Sequence, residues 1–288
     1  MQNIGYYNGK TGPIETMMIP MNDRAVYFGD GVYDATYAAN NVIFKIEDHI
    51  ARFYSSCEKL RMKLDISPEK LAAILQSCVD RVDGANCFFV YWQATRGTGM
   101  RNHAFPESGC ANLLITVSPS PMRPIGRKYK LITVEDTRFF HCDIKTINLI
   151  PSVMASQQAK EAGCDEAVFH RGQVVTECAH SNVSILKGGV FRTAPLSNLI
   201  LPGTARKHLI ALAGQNGIPV DETAFTLDDL MAADEVIVHS SGTLCNAASK
   251  IDGKPVGGKD PKTLGILQQA AIKEFETYTG ASFAACAR

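Results

Sequence analysis

Three prolines within six residues, Pro119, Pro121 and Pro124, interrupt the chain before its midpoint. Proline fixes φ and has no amide hydrogen, so this stretch can be neither helix interior nor central strand. Each side carries enough apolar sequence for a core of its own, and 288 residues suggest two domains. The expected division is a small N-terminal domain over 1–118, a linker over 119–125 and a larger C-terminal domain over 126–288. Strand and helix signals mix in both halves, which gives an α/β (α+β) fold class.

In the first half, a strand from Ile4 runs into Asn8-Gly9, a strong hairpin signal. A second strand pair is expected over 31–37 and 42–46 around an Asn40-Asn41 turn. Its residues Tyr33, Ala35 and Tyr37 alternate onto one face, either as ordinary strand packing or as a pocket wall offering phenol hydroxyls. Ile46, Ile50, Phe53, Cys57 and Leu60 then form an apolar stripe at helical spacing. Arg52 lies off that stripe, and helix physics alone pairs it with Asp48. Ser67-Pro68 opens a second helix that runs to about Val82. Buried strands are expected over 87–93 and 111–117. The glycine-rich loop between them holds Arg101 and His103, which point the same way if the segment is extended. A guanidinium fork beside an imidazole suits a carboxylate, although a polar surface loop accounts for the same residues.

The second half begins with Lys145, placed between Ile144 and Ile147 in a mostly apolar run. Lysines are normally solvated, so this one either covers apolar surface with its stem or is held there for chemistry. A desolvated lysine loses its proton more easily and can then attack a carbonyl. A short helix over 151–162 ends at Gly163. A meander is expected next, over 166–170, 174–176, 182–186 and 190–193. Glu177 follows its second strand, and the small and polar residues after it suggest a cavity. At 201–206 a helix opens on small residues. Thr204 as a plain cap is the ordinary reading, and free amides at Thr204 and Ala205 forming a phosphate cup are the functional one. Ser240-Ser241-Gly242-Thr243, after an apolar strand over 235–239, could hold the other side of the same anion in a backbone nest. The last helix spans about 262–278, and the small-residue tail beyond it is expected to fray.

Composition removes several function classes. With 29 basic and 29 acidic residues, nothing marks a nucleic-acid or acidic-lipid footprint. Nine scattered cysteines without a Cys-x-x-Cys argue against a disulfide framework or a zinc site, and for a reducing compartment. No signal-peptide core and no run of membrane-spanning length is present, so a cytoplasmic globule is expected, with no metal.

An amine in an apolar setting, a carboxylate after a strand, two anion cups and a carboxylate trap suit a cofactor with an aldehyde, a basic ring nitrogen and a phosphate. Pyridoxal 5′-phosphate (PLP) is that molecule. The order and wording of the motifs resemble the fold-type IV PLP enzymes, and within them the bacterial D-amino acid (D-alanine) aminotransferases. The resemblance rests on Asp23-Arg24, Phe28-Gly29-Asp30-Gly31-Val32-Tyr33, His49-Ile50-Ala51-Arg52, the Thr95–Thr98 stretch with Arg101 and His103, Cys142-Asp143-Ile144-Lys145, Val175-Thr176-Glu177 with Ser181-Asn182, and the 201–206 loop. It covers nearly the whole chain. The fold it implies is a small N-terminal α/β domain beside a larger C-terminal pseudo-barrel α/β domain.

Carried over by position, the resemblance implies that Lys145 forms the Schiff base and moves the proton at the substrate Cα. Glu177 bonds the pyridine nitrogen. Arg52 grips the phosphate with Thr204, Ala205 and a residue near Ser241, which replaces the ordinary readings of Arg52 and of the 201–206 loop. Ser181 joins the cofactor set. Tyr33, Arg101 and His103 hold the substrate α-carboxylate, the last two reaching in from the partner subunit of a homodimer. The implied reaction is ping-pong transfer from D-alanine to 2-oxoglutarate. A branched-chain L-aminotransferase, an (R)-amine transaminase and an aminodeoxychorismate lyase are the alternatives on the same fold. The chain also departs from the family wording. Cys178-Ala179-His180 stands where relatives usually carry Gly-Ser-Ser, Tyr37 stands where they have lysine, and the loop from Ser240 to Cys245 differs as well.

Overall fold

The computed structural model describes residues 2–107 and 109–287. Its first part contains β1 (Ile4–Tyr7), β2 (Lys10–Gly12), α1 (Arg24–Phe28), β3 (Gly31–Ala39), β4 (Val42–Ile43), α2 (Ile46–Lys59), α3 (Pro68–Val79), β5 (Cys87–Thr95) and β6 (Asn112–Pro119). The strands form one antiparallel sheet in the order β2-β1-β6-β5-β3-β4. Two turns set its registers. Asn8 (φ 45°) with Gly9 (φ 91°), and Asn40 (φ 50°) with Asn41 (φ 58°), take the left-handed conformations that tight hairpins need. β4 is shorter than expected, because only Val42 and Ile43 pair before the chain turns into α2.

Alternation divides β3 between two tasks. Val32 joins the core beneath α2 and α3, with Phe53, Leu71, Leu75, Trp92 and Ile115. Tyr33, Ala35 and Tyr37 face the other way and line a cavity. Ser67 caps α3 by accepting from the Lys70 amide, with Pro68 in the first turn, as the sequence implies. Pro119 closes β6 opposite Phe88, at a strand end, where a missing amide costs least.

Beyond it come β7 (Tyr129–Glu135), α4 (Ile150–Glu161), β8 (Glu166–Arg171), β9 (Val174–Cys178), β10 (Asn182–Lys187), β11 (Val190–Thr193), α5 (Thr204–Gln215), β12 (Val220–Asp221), α6 (Leu227–Ala232), β13 (Glu235–His239), β14 (Asn246–Ile251), β15 (Lys254–Pro255), α7 (Pro261–Thr279) and α8 (Phe283–Cys286). The second sheet runs β12-β11-β10-β13-β14-β7-β8-β9, with β15 attached to β14. The expected meander is only partly formed. β8–β9 and β10–β11 are hairpins, but β10 takes β13 as its other partner and not β9. A tight corner, with the Cys178 amide donating to Ser181 O at 2.8 Å, redirects the chain between them. The sheet then curls, and the Val175 amide donates to Phe225 O at 3.0 Å. Inside the curl lie Val168, Val183, Ile185, Phe225, Val236 and Val238. α4 packs Ala155 and Ala159 against Phe169 on one side, while α5 and α7 bring Leu209, Leu267 and Phe275 to the other.

The tail after α7 does not fray. Phe283 is 4% exposed, its ring lies 5.7 Å from that of Phe275, and the Met122 amide donates to Cys286 O at 2.9 Å. Burying one phenyl ring and tying the backbone offsets the entropy of ordering a few small residues. Only Arg288 of the tail lies outside the described residues. Phe283→Ala is expected to lower the unfolding free energy by about 3 kcal/mol, read from chemical denaturation.

Candidate active site

The segment around Lys145 is irregular and docks on the end of β3. The Tyr33 amide donates to Lys145 O at 2.9 Å, and the Ile147 amide to Gly31 O at 3.1 Å. On the other side the Lys145 amide donates to Ser56 Oγ of α2 at 3.2 Å. Gly31 makes this approach possible, because a Cβ there would lie 2.6 Å from Ala94 O and 3.0 Å from Ile147 Cδ1. With its backbone held from two elements, Lys145 places its ammonium 4.2 Å from the centre of the Tyr33 ring.

A cavity of about 410 Å³ opens beside that ammonium. Tyr33, Lys145, Glu177 and Ser181 line it, and so do Arg52, Thr204, Ala205 and Ser241. Glu177 lies inside β9 and is buried, where a strand-end carboxylate would ordinarily be solvated. Its Oε2 accepts from Asn182 Nδ2 and from the Leu201 amide, both at 3.0 Å, and its Oε1 from Arg138 Nη1 at 2.5 Å. Burial pushes the Glu177 carboxyl up to about 7, even against the pull of Arg138. An acid balanced in this way gains from any further cation that reaches it.

At the other end of the cavity, α5 begins without a side-chain cap. Gly203 is the N-cap and Thr204 the first helical residue, which corrects the ordinary reading of Thr204 as a cap. The first amides of a helix have no internal acceptor and favour an anion. Gly203 is required for close packing here, since a Cβ would sit 1.9 Å from Asn182 Oδ1.

Arg52 does not pair with Asp48. Its Nη2 and Nε donate to Asp34 at 2.7 and 2.9 Å, while Asp48 binds His208 at 2.8 Å and also Lys207. Asp34 points from β3 into α2 with its side chain fully buried, and an unpaired carboxylate there would be costly. Arg52 and the His49 ring, 2.8 Å away, supply the partners and hold the Asp34 carboxyl far below the usual range against the opposing effect of burial. Burial in turn lowers His49, whose Nε2 lies 3.4 Å from Ser241 Oγ. One buried acid thus aims both Arg52 and the 240–243 loop.

Arg101 and His103 are not brought into this cavity. Both are exposed, and both sit on Phe28: the Arg101 guanidinium is 5.3 Å from the ring centre and the His103 ring 5.2 Å. The loop is held by Arg24, which donates to Asn102 O at 2.6 Å, Ala104 O at 3.1 Å and His103 O at 3.3 Å. Arg24 is itself fixed by Asp30 at 2.7 Å, and Asp30 also binds Arg96 at 2.9 Å.

Residues 31–251 match the family model described as amino-transferase class IV. The chain belongs to the class IV aminotransferases. Its relatives include the D-alanine aminotransferase of Listeria monocytogenes serotype 4b, 38% identical over 90% of this chain and 92% of that one. The D-alanine aminotransferase of Staphylococcus aureus strain MSSA476 is 34% identical over 95% and 98%. Among solved structures, the T.th. branched-chain amino acid aminotransferase with pyridoxamine 5′-phosphate superimposes with a TM-score of 0.87 at 24% identity, covering 97% of this chain and 98% of that one. The branched-chain aminotransferase of the archaeon Thermoproteus uzoniensis gives a TM-score of 0.85 at 22% identity, over 96% and 97%. At such identities these structures show the fold, which is fold type IV.

This class IV aminotransferase is a PLP-dependent enzyme, and its cavity offers the cofactor's three requirements: an amine, an acid, and a helix start beside an arginine. Four side chains of this arrangement had no role assigned from sequence: Asp34, Arg138, Arg24 and Asn182. Asp34 had a legible signal, because alternation puts it on the core face of β3, where a carboxylate needs a partner. Arg138 and Arg24 had none, since their partners at the site, Glu177 and the carbonyls of the 102–104 loop, are distant in the chain.

Proposed function

We propose that the chain transfers the amino group of D-amino acids to 2-oxo acids, with D-alanine and 2-oxoglutarate as the substrates that give pyruvate and D-glutamate. PLP supplies an aldehyde that condenses with amines, and a ring that withdraws electrons from the substrate Cα when its nitrogen is protonated. Lys145 Nζ is the amine that holds the cofactor and then the base that moves the proton at Cα. Glu177 keeps the proton on the ring nitrogen, a role supported by its burial and by Arg138 and Asn182 fixing its direction. Arg52, the amides of Thr204 and Ala205, and Ser241 bind the phosphate, with Ser181 beside them in the same cavity.

The observation that carries the stereochemical part is the Arg101–His103 pair, both against the Phe28 ring on a loop that Arg24 holds by three carbonyls. With Tyr33 it binds the α-carboxylate and so selects which face of Cα meets Lys145. Because the pair lies outside its own cavity, it serves the cavity of a second copy. Exposed Met21, Val26 and Met100 beside it support such a homodimer, and the Gly99 amide ties the loop to Asn22 O at 3.0 Å. The domain division at 119–125 belongs to the same reading, supported by the separate sheets on either side. A cytoplasmic location is part of the same proposal, and no helix among the described residues is long and apolar enough to cross a membrane.

Amino transfer to 2-oxoglutarate tests the reading, with D-alanine compared against L-alanine, L-leucine and (R)-1-phenylethylamine. The kcat/KM for D-alanine is expected to exceed the others by about 100-fold or more. Turnover of L-leucine without D-alanine would instead make this a branched-chain L-aminotransferase.

A further inference from the structure

Two cationic side chains that none of these roles uses line the same cavity: Arg123, from the linker, and His180, from the corner between β9 and β10. Each is fixed by its backbone. The Arg123 amide donates to Gly242 O at 3.1 Å, and the Ala179 amide to Ala167 O at 3.0 Å. His180 Nδ1 lies 2.8 Å from Glu166 Oε2, a carboxylate whose side chain is fully buried. That contact orients the ring of this cavity-lining residue, and Nε2 has no partner among the described residues.

The nearby acids are already engaged. Glu166 also accepts from Ser181 Oγ at 2.9 Å and from the Ala167 amide at 3.0 Å. Asp165, which lines the cavity too, binds Arg127 and accepts from the Lys130 amide at 2.9 Å. Among the described residues, the Arg123 guanidinium has no carboxylate partner. Its charge is nevertheless felt around the cavity wall, where it opposes burial at the hydroxyls of Tyr37 and Tyr129 and disfavours a proton on His180. Burial also works against that proton, yet the bond to Glu166 outweighs both and holds the His180 imidazole above its ordinary range. The result is a pair of donors, His180 held by Glu166 and Arg123 without a carboxylate partner among the described residues, on a wall otherwise built from Tyr37, Phe89 and Tyr129. The cofactor's phosphate is provided for by Arg52 and the start of α5, so this pair is free for another anion.

We propose that Arg123 and His180 form the subsite for the side-chain carboxylate of a dicarboxylic amino acid and of its 2-oxo acid. The assignment rests on the reading of the chain as an amino acid transaminase and names the residues that let an acidic substrate share the cavity with alanine. A carboxylate bridging a guanidinium and an imidazolium makes charge-assisted bonds, whereas the alanine methyl leaves the pair untouched.

The test uses the holoenzyme, with Arg123→Ala and His180→Ser as separate variants. Achiral glutarate and butyrate are titrated against the cofactor absorbance. Wild type is expected to bind glutarate at least about tenfold more tightly than butyrate, and each variant to remove most of that preference. In turnover, KM for D-glutamate and 2-oxoglutarate is expected to rise about tenfold or more, against less than about threefold for D-alanine. Equal binding of the two acids by wild type would overturn the assignment. So would a rise in KM shared by D-alanine and D-glutamate, which would make the pair an α-carboxylate site, or loss of cofactor, which would make it a cofactor contact. Glutarate has no handedness, so an enzyme that prefers L-amino acids fails the stereochemical reading and leaves this result to be judged alone.

Discussion

Lys145→Ala is expected to lose the near-visible absorbance of a lysine-linked cofactor and at least about 10³-fold in transamination, while the protein stays folded. The two effects separate because of what the side chain touches. Its ammonium has no carboxylate partner among the described residues and lies on the Tyr33 ring at 4.2 Å, a contact worth about 1 kcal/mol. Removing it uncovers no buried charge. The backbone bonds that seat the segment, to Tyr33, Gly31 and Ser56, do not involve the side chain. Cofactor retention is expected to weaken without vanishing, because Arg52 remains paired to Asp34 and α5 keeps its uncapped start. A small primary amine added to the variant is expected to restore part of the rate, which a purely structural lysine would not allow. An unchanged absorbance would remove Lys145 from the centre of the mechanism.

That lysine also shows how far the sequence could lead. Its apolar neighbours offered a weak reason to single it out, since long side chains commonly cover such surface. What the sequence could not display is the seat itself, a loop pinned between β3 and α2 by residues about 90 to 116 positions away in the chain. Elements with strong local signals were legible: the Asn8-Gly9 and Asn40-Asn41 turns, the cap at Ser67, the stripe of α2. Local signals misled where a distant partner won. The helix rule that offers Asp48 to Arg52 is worth a few tenths of a kcal/mol, about 0.5 at most, far less than stranding Asp34 in the core. The same limit explains β10, whose partner β13 lies some fifty residues on, and the docked tail, which local composition reads as loose. The Arg101–His103 pair was visible as chemistry, but its place outside the cavity is a fact of tertiary structure.

Glu177→Gln is expected to act in two ways that can be measured apart. Without cofactor, burial raises the Glu177 carboxyl from 4.5 to about 7, so between those values the folded chain binds a proton that the unfolded chain has released. Stability therefore falls as pH rises through this window, by roughly 3 kcal/mol in all, and is fully present only below it. Glutamine cannot titrate, so the cofactor-free variant is expected to lack the fall in stability that Glu177 gives the cofactor-free wild type, read as the difference between the two curves. Arg138 remains anchored by Asp136 at 2.9 Å in the variant, which limits the structural cost of losing its second acid. A cation meeting the carboxylate favours the ionised form, so cofactor binding is expected to abolish the downward slope in wild type and to leave the variant unaffected. With cofactor, the neutral amide can no longer keep a proton on the ring nitrogen. Transamination is then expected to fall by about 10²–10³-fold while the phosphate contacts proposed for Arg52 and Thr204 keep the cofactor bound. A cofactor-free wild type whose stability runs parallel to that of the variant from pH 5 to about 7 would show that Glu177 is already ionised there, and that Arg138 outweighs burial.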